Sequence, residues 1–149
     1  MIHKTVTLRC SIGRAFRLFT EHAGEWWPED RRHTQDAASG IVLEPAPGGR
    51  FYERARDGRE VELGVVRVFE RDERLVLDWY PGTGPAAPTQ VEVRFEPVRE
   101  GTRVIVLHTE GPAGEEVYRR RVEAYDRSWD LVLAALGRAA GEGGALDSR

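Results

Sequence analysis

The sequence predicts an α+β fold in which a curved antiparallel sheet of about six to seven strands wraps around one long C-terminal α-helix. Three observations carry that prediction. Between Glu115 and Ala140 an apolar stripe of Tyr118, Val122, Tyr125, Trp129, Val132, Leu133 and Leu136 recurs at steps of three and four, the period of an amphipathic helix. Arg119, Arg120, Glu123, Asp126, Arg127 and Asp130 hold the opposite face, so the helix lies on a core with one side in water. Between Gly40 and Glu110 the pattern changes to short alternating strands punctuated by Gly, Pro and Asp-Gly, as in an antiparallel sheet with one wet face. A sheet and a single long helix can bury each other only if the sheet bends around the helix.

In chain order, Ile2 to Cys10 places Val6, Leu8 and Cys10 on one side and Thr5, Thr7 and Arg9 on the other, a half-buried strand. Ser11 is suited to cap a short helix, in which Ile12, Ala15, Phe16 and Phe19 keep helical spacing. Thr20 to Gly24 ends it, and Glu25-Trp26-Trp27-Pro28 follows as an irregular segment, since Pro28 cannot sit inside a helix. Arg31 to Ser39 has no periodicity and reads as a mobile loop. Strands are expected at Ile41–Glu44 and Arg50–Arg56, the second closed by Asp57-Gly58, a hairpin signal. Val61, Leu63 and Val65 alternate on one phase while Val66 and Val68 continue on the other, with Gly64 just before the slip, which predicts a bulge. Further strands are expected at Leu75–Trp79, Val91–Phe95 and Thr102–Glu110. The last has two apolar faces, Val104, Val106 and His108 on one and Ile105 and Leu107 on the other, suggesting cover by a second copy or by the N-terminal segment.

A chain of 149 residues with no dividing linker reads as one domain over residues 1–140 followed by a disordered Gly-rich tail over 141–149. A 40% hydrophobic and 32% charged composition is that of a folded chain. The net charge of -3 argues against nucleic-acid binding, and Arg119-Arg120-Arg121, the one basic run, reads as a solvated helix face. No segment is apolar enough to span a membrane or serve as a leader. The single cysteine, Cys10, excludes an internal disulfide and fits a cytoplasmic location.

Strand, helix, Trp-Trp-Pro segment, a run of strands and a long final helix together resemble the helix-grip fold of the START-like (SRPBCC) superfamily, also called Bet v 1-like. Within it the chain resembles the homologues of the heat-shock-protein-90 ATPase activator. The resemblance is carried by Ala15-Phe16-Arg17-Leu18-Phe19-Thr20, Trp26-Trp27-Pro28, Leu43-Glu44-Pro45, Gly48-Gly49-Arg50-Phe51-Tyr52-Glu53, Leu75-Val76-Leu77-Asp78-Trp79, Val91-Glu92-Val93-Arg94-Phe95, Thr102 to His108 and Trp129-Asp130-Leu131-Val132-Leu133. It implies a deep cavity between sheet and helix that holds an apolar small molecule. It does not imply a reaction.

The residues themselves offer little chemistry. No phosphate-binding Gly loop, dinucleotide fingerprint or nucleophile elbow is present. His22-x-x-Glu25 and His33-x-x-Asp36 are the only His/carboxylate spacings suggestive of a metal, and neither has a further ligand in view, so no metal and no cofactor is expected. His108 shares the inward face of the last strand, where its ring must be hydrogen-bonded, either as a satisfied core histidine or as a group orienting a ligand. Glu53, in step with Phe51, is the second inward polar group, with a salt bridge to an arginine as the plain alternative. The expected ligand-contacting set is Trp26, Trp27, Phe51, Glu53, Val66, Leu77, Trp79, His108, Tyr125 and Trp129, with Trp26 and Trp27 as a lid. The function expected is non-catalytic binding of an apolar or aromatic small molecule by a chain able to form a homodimer. The alternatives are a polyketide cyclase, aromatase or hydrolase using His108 and Glu53 as acid and base, and a co-chaperone-like interaction module.

Overall fold

A computed structural model describes residues 1–147, with side chains as far as Gly141. The chain runs β1 (Ile2–Leu8), α1 (Ile12–Thr20), α2 (Ala23–Trp26), β2 (Gly40–Leu43), β3 (Arg50–Arg54), β4 (Glu60–Glu70), β5 (Arg74–Trp79), β6 (Thr89–Val98), β7 (Gly101–Thr109) and α3 (Glu115–Asp147). Seven antiparallel strands form one curled sheet in the order β1-β7-β6-β5-β4-β3-β2. Ser11 caps α1 by accepting from the Arg14 backbone N–H at 3.2 Å, as its sequence position suggests. The backbone of α3 stays helical past Ala140, where the apolar stripe ends. The tail expected over 141–149 lies, beyond Gly141, outside the described side chains.

The inner face of the sheet is written in cross-strand rows. Ile2, His108, Val91, Leu77 and Val66 sit opposite one another across five strands, and all five are buried. Curvature comes from β4, which carries two bulges. Leu63 is an extra residue against β3, where the pairing passes from Phe51–Gly64 to Tyr52–Glu62, and Arg67 is an extra residue against β5. Each slip returns an apolar side chain to the inner face after three residues, giving Leu63, Val66 and Phe69. Gly64 is required here, because a Cβ would meet the Asp78 carbonyl oxygen at 2.1 Å. The sequence signal locates the first bulge and misses the second, since Arg67 leaves no mark of its own.

The helices divide the space inside the curl. From α1, Phe16 packs edge-on against Phe69 and Phe95, and Phe19 against Phe95. Val132, Leu133, Leu136 and Ala140 of α3 join the same cluster, making that end of the fold a dry core. At the other end, α3 is held by a single histidine. Trp129 donates its indole N–H to His108 Nδ1 at 3.0 Å, Tyr118 donates its hydroxyl to the His108 carbonyl at 3.0 Å, and the Tyr125 ring lies over the imidazole at 4.4 Å. The outer edge is tied by Lys4, whose ammonium lies 2.9 Å from both Asp126 and Asp130.

Two expectations are corrected. Trp26 is not in an irregular segment, since Ala23–Trp26 forms one helical turn with Trp27 as its C-cap. Arg31 to Ser39 is not a loose loop, because buried polar contacts described below fix it to β3. On the second apolar face of β7, Ile105 and Leu107 are half-buried beside Thr5, His3, Arg94 and Glu92, their partners in the neighbouring strands. Among the described residues no helix is long and apolar enough to cross a membrane.

Trp129 is 2% exposed, stacks on Trp79 at 5.4 Å and satisfies a buried imidazole nitrogen. Trp129→Ala is expected to cost about 3–5 kcal/mol, and Trp129→Phe about 1–3 kcal/mol, since it keeps the ring and leaves Nδ1 without a donor. Denaturant midpoints check both. A loss below roughly 1 kcal/mol for the alanine variant would place Trp129 outside the core.

Candidate functional site

A cavity of about 390 Å³ opens between β4, β5 and the N-terminal half of α3. Its sheet wall is Leu63 and Trp79, and its helix wall is Arg121, Ala124, Tyr125, Ser128 and Trp129. Those five helical residues follow i, i+3, i+4, i+7, i+8, a stripe beside the core-facing one, and the small Ala124 and Ser128 leave room between the rings. Two loops form the rim, one with Trp27, Asp30, Arg31, Arg32 and His33, the other with Pro81 and Thr83. The loops meet at Gly82, with φ +75°, where a Cβ would stand 3.0 Å from the His33 ring.

The structure brings together Trp27, Trp79, Tyr125 and Trp129 from the predicted set. Phe51 stands behind this wall, its ring 6.1 Å from Trp27 and 5.7 Å from Trp79. Val66 and Leu77 are fully buried in the sheet's inner row, away from the cavity lining. Trp26 points back into the fold, donating its N–H to the Leu18 carbonyl at 2.8 Å and packing on Phe19. The two neighbouring tryptophans thus have separate duties: Trp26 is an anchor and Trp27 a wall.

His108 is fully buried and its tautomer follows from its partners. Trp129 Nε1 can only donate, so Nδ1 accepts; the ring proton sits on Nε2 and is donated to Thr89 Oγ1 at 2.7 Å. Thr89 passes its own proton to the Trp79 carbonyl at 3.1 Å. Both ring nitrogens are therefore committed. Burial, and to a lesser degree the N-terminal ammonium, lower its pKa from 6.5 to about 3, so the ring is neutral at neutral pH.

Glu53 is buried as deeply and is just as occupied. Its Oε1 accepts from the His33 N–H at 2.7 Å, and its Oε2 accepts from the Thr34 N–H at 3.1 Å, the Ser39 hydroxyl at 2.9 Å and the Thr34 hydroxyl. Burial raises its pKa, but the bonds from Thr34, Ser39 and His33 outweigh it and the net direction is down. Beside it Arg32 donates to the Ser39 hydroxyl at 3.1 Å, the Gly24 carbonyl at 3.0 Å and the Trp27 carbonyl at 2.9 Å. Burial lowers the Arg32 pKa, opposed by Glu53, Glu29 and Asp36. Arg32, Ser39 and Glu53 form one buried relay that fixes the Trp27-to-Ser39 segment to β3. Three strands separate Glu53 on β3 from His108 on β7, and neither is on the cavity lining.

The helix-grip architecture agrees with the comparisons. The family model described as Activator of Hsp90 ATPase homolog 1-like protein matches residues 9–140. The chain belongs to this family. No curated protein matches it in sequence. Among solved structures, the Aha1 dimer from Colwellia psychrerythraea is 15% identical, with a TM-score of 0.64 over 93% of this chain and 94% of that one. DynU16, from the dynemicin biosynthetic locus, is 17% identical with a TM-score of 0.70, over 99% of this chain and 49% of its own. Those two likenesses show the fold alone. The anthrahydroquino-γ-pyrone synthase Txn09, solved in complex with SUM, is 25% identical with a TM-score of 0.62, over 92% of this chain and 94% of its own.

Other sequence candidates are also accounted for. His22 Nδ1 lies 2.7 Å from Glu25, and Asp36 is held by Arg56 at 3.1 Å, so each carboxylate of the two metal-like spacings has a protein partner. Among the described residues no three His, Cys, Asp or Glu side chains are grouped to hold a metal. In the basic run Arg119 pairs with Glu115 at 2.8 Å on the exposed face, as expected, whereas Arg120 and Arg121 line the cavity. Leu63, Arg31, His33, Thr83 and Arg121 were not legible as site residues. The stripe Arg121, Ala124, Tyr125, Ser128 and Trp129 was the available signal for the helix wall.

Two experiments follow from this geometry. A base whose folded pKa lies below its unfolded one contributes stability fully above the unfolded value and loses it as pH falls toward the folded value. For His108 that window runs from about 6.5 down to about 3. At 1.36 kcal/mol per unit, about 2 kcal/mol should vanish between pH 8 and pH 5, before most carboxylates titrate. His108→Gln, whose amide can accept from Trp129 and donate to Thr89, should flatten that slope; an unchanged slope would assign it to another group. Glu53→Gln is expected to cost about 2–3 kcal/mol, since a carboxylate accepting several bonds is replaced by an amide that must present donors to donors. Amide exchange at His33 and Thr34 should accelerate with it.

Proposed function

We propose that this protein binds a planar aromatic small molecule in the cavity between β4, β5 and α3, and that its own residues perform no reaction on it. The observation carrying this reading is the lining: three indoles and a phenol, Trp27, Trp79, Trp129 and Tyr125, around about 390 Å³, a volume in the range of small-molecule sites. Such rings stack on a flat ligand at little cost in side-chain entropy. The absence of turnover rests on His108 and Glu53, whose acid and base positions are consumed by structural hydrogen bonds. A cytoplasmic location belongs to the same proposal, on the strength of a single cysteine that rules out an internal disulfide. A homodimer is proposed on the likeness to the dimeric Colwellia protein.

A second reading is favoured by the likeness to the anthrahydroquino-γ-pyrone synthase. In it the same walls fold a polyketide for ring closure, with shape and exclusion of water supplying the catalysis. Product formation from a polyketide that is stable in buffer would replace the binding-only reading.

Titrating anthraquinone, naphthalene and a straight-chain alcohol tests binding through tryptophan emission and calorimetry. Saturable binding of the flat probes over the chain is expected. Trp27→Ala should weaken it about tenfold, as expected of a wall residue lost from a well-packed pocket, and should also cost stability because its ring packs on Phe51. Trp26→Ala should cost stability and leave the affinity of the folded protein unchanged, because its N–H and ring serve the core. Absence of saturable binding by any flat probe would overturn the reading.

A further inference from the structure

On the sheet's outer face and the tip of its hairpin, six arginines are matched by carboxylates. Arg50, Arg54, Arg56, Arg59, Arg67 and Arg74 each lie within 3.1 Å of an Asp or Glu oxygen. At the cavity arginines outnumber acids. Arg31, Arg32, Arg120 and Arg121 line it with Asp30 as the only acid, and Arg31 stands 4.0 Å from Asp30, beyond hydrogen-bond reach. The concentration of positive charge is local, since the whole chain carries -3.

The unpaired donors gather at the same place. Among the described residues four buried side-chain nitrogens have no hydrogen-bond partner: Arg14 Nε on α1, and Arg31 Nε, Arg32 Nε and Arg121 Nη1, all three on the cavity lining. A buried guanidinium N–H without a protein acceptor costs free energy unless a water, an ion or a ligand supplies one. Arg31, in the segment after α2, and Arg121, on α3, both line the cavity, and a planar guanidinium presents paired donors matched to a carboxylate.

We propose that the cavity selects aromatic ligands bearing a carboxylate, with Arg31 and Arg121 clamping the carboxylate at the rim while the ring lies among Trp27, Trp79 and Trp129. This rests on the aromatic-binding reading above and adds the charge of the ligand to it.

The test compares anthraquinone-2-carboxylate with its primary amide and with unsubstituted anthraquinone, by calorimetry at low and high salt. The acid should bind at least tenfold more tightly than the amide, and added salt should narrow the gap. Arg31→Met and Arg121→Met keep an apolar stem and remove the donors. Each should bring the acid's affinity down to the amide's and leave the amide's unchanged, with a denaturant midpoint equal to or above that of the wild type. Equal affinity of acid and amide for the wild-type protein would overturn the clamp and leave aromatic binding standing. Absence of binding by all three compounds would overturn both. A methionine variant that loses stability and still prefers the acid would assign that arginine to the fold and also overturn the clamp.

Discussion

The hydrogen bond from Trp129 to His108 Nδ1 joins the two halves of this fold. A curled sheet offers its helix a concave, mostly apolar surface on which sliding by one turn would cost little, because dispersion is non-directional. A buried imidazole removes that freedom. Its Nδ1 must find a donor, its Nε2–H must find an acceptor, and only one register of α3 brings Trp129 to the first while Thr89 meets the second. Tyr118 and Tyr125 close on the same residue from the preceding turns, so the position of α3 is set by polar geometry at one point and by apolar packing along the rest.

The same logic operates on the opposite side of the sheet. The segment after Trp27 has too few apolar side chains to fold by burial, yet it forms the rim of the cavity. Glu53 substitutes for a core there. By gathering the amides of His33 and Thr34 and the hydroxyls of Thr34 and Ser39, and by facing Arg32 through Ser39, it holds an irregular stretch of chain as firmly as strand pairing would. A carboxylate held in this way has its oxygens committed to hydrogen bonds with the chain it positions.

Between these two fixed points the rings form a continuous path: Phe19, Trp26, Trp27, Phe51, Trp79, Trp129 and His108, each within 6.3 Å of the next. At the α1 end the path is filled by Phe16 and Phe95 and is dry. At the α3 end Ala124 and Ser128 are too small to meet the sheet, and the space they leave is the cavity. Position of ligand space is thus a matter of which residues on one helix are small.

Periodicity in the sequence determined the long helix, the strands, the bulge at Gly64, the cap at Ser11 and the inward direction of Phe51, Glu53, Trp79, His108 and Trp129, because alternation and three-to-four spacing reflect local backbone geometry that each segment carries by itself. The family resemblance was legible for the same reason, being a sequence of such elements. Tertiary structure alone decided what the inward residues meet. Whether His108 faces a ligand or Thr89 and Trp129 depends on registers of β6 and α3 that are set by the whole sheet. Whether Arg121 lies in water or on a cavity depends on how far α3 rotates about its axis, which its own stripe leaves open by one residue either way. Hydrogen bonds of buried polar groups are satisfied by partners distant in sequence, 19 residues from Thr89 to His108 and 20 from His33 to Glu53, and no local pattern encodes them.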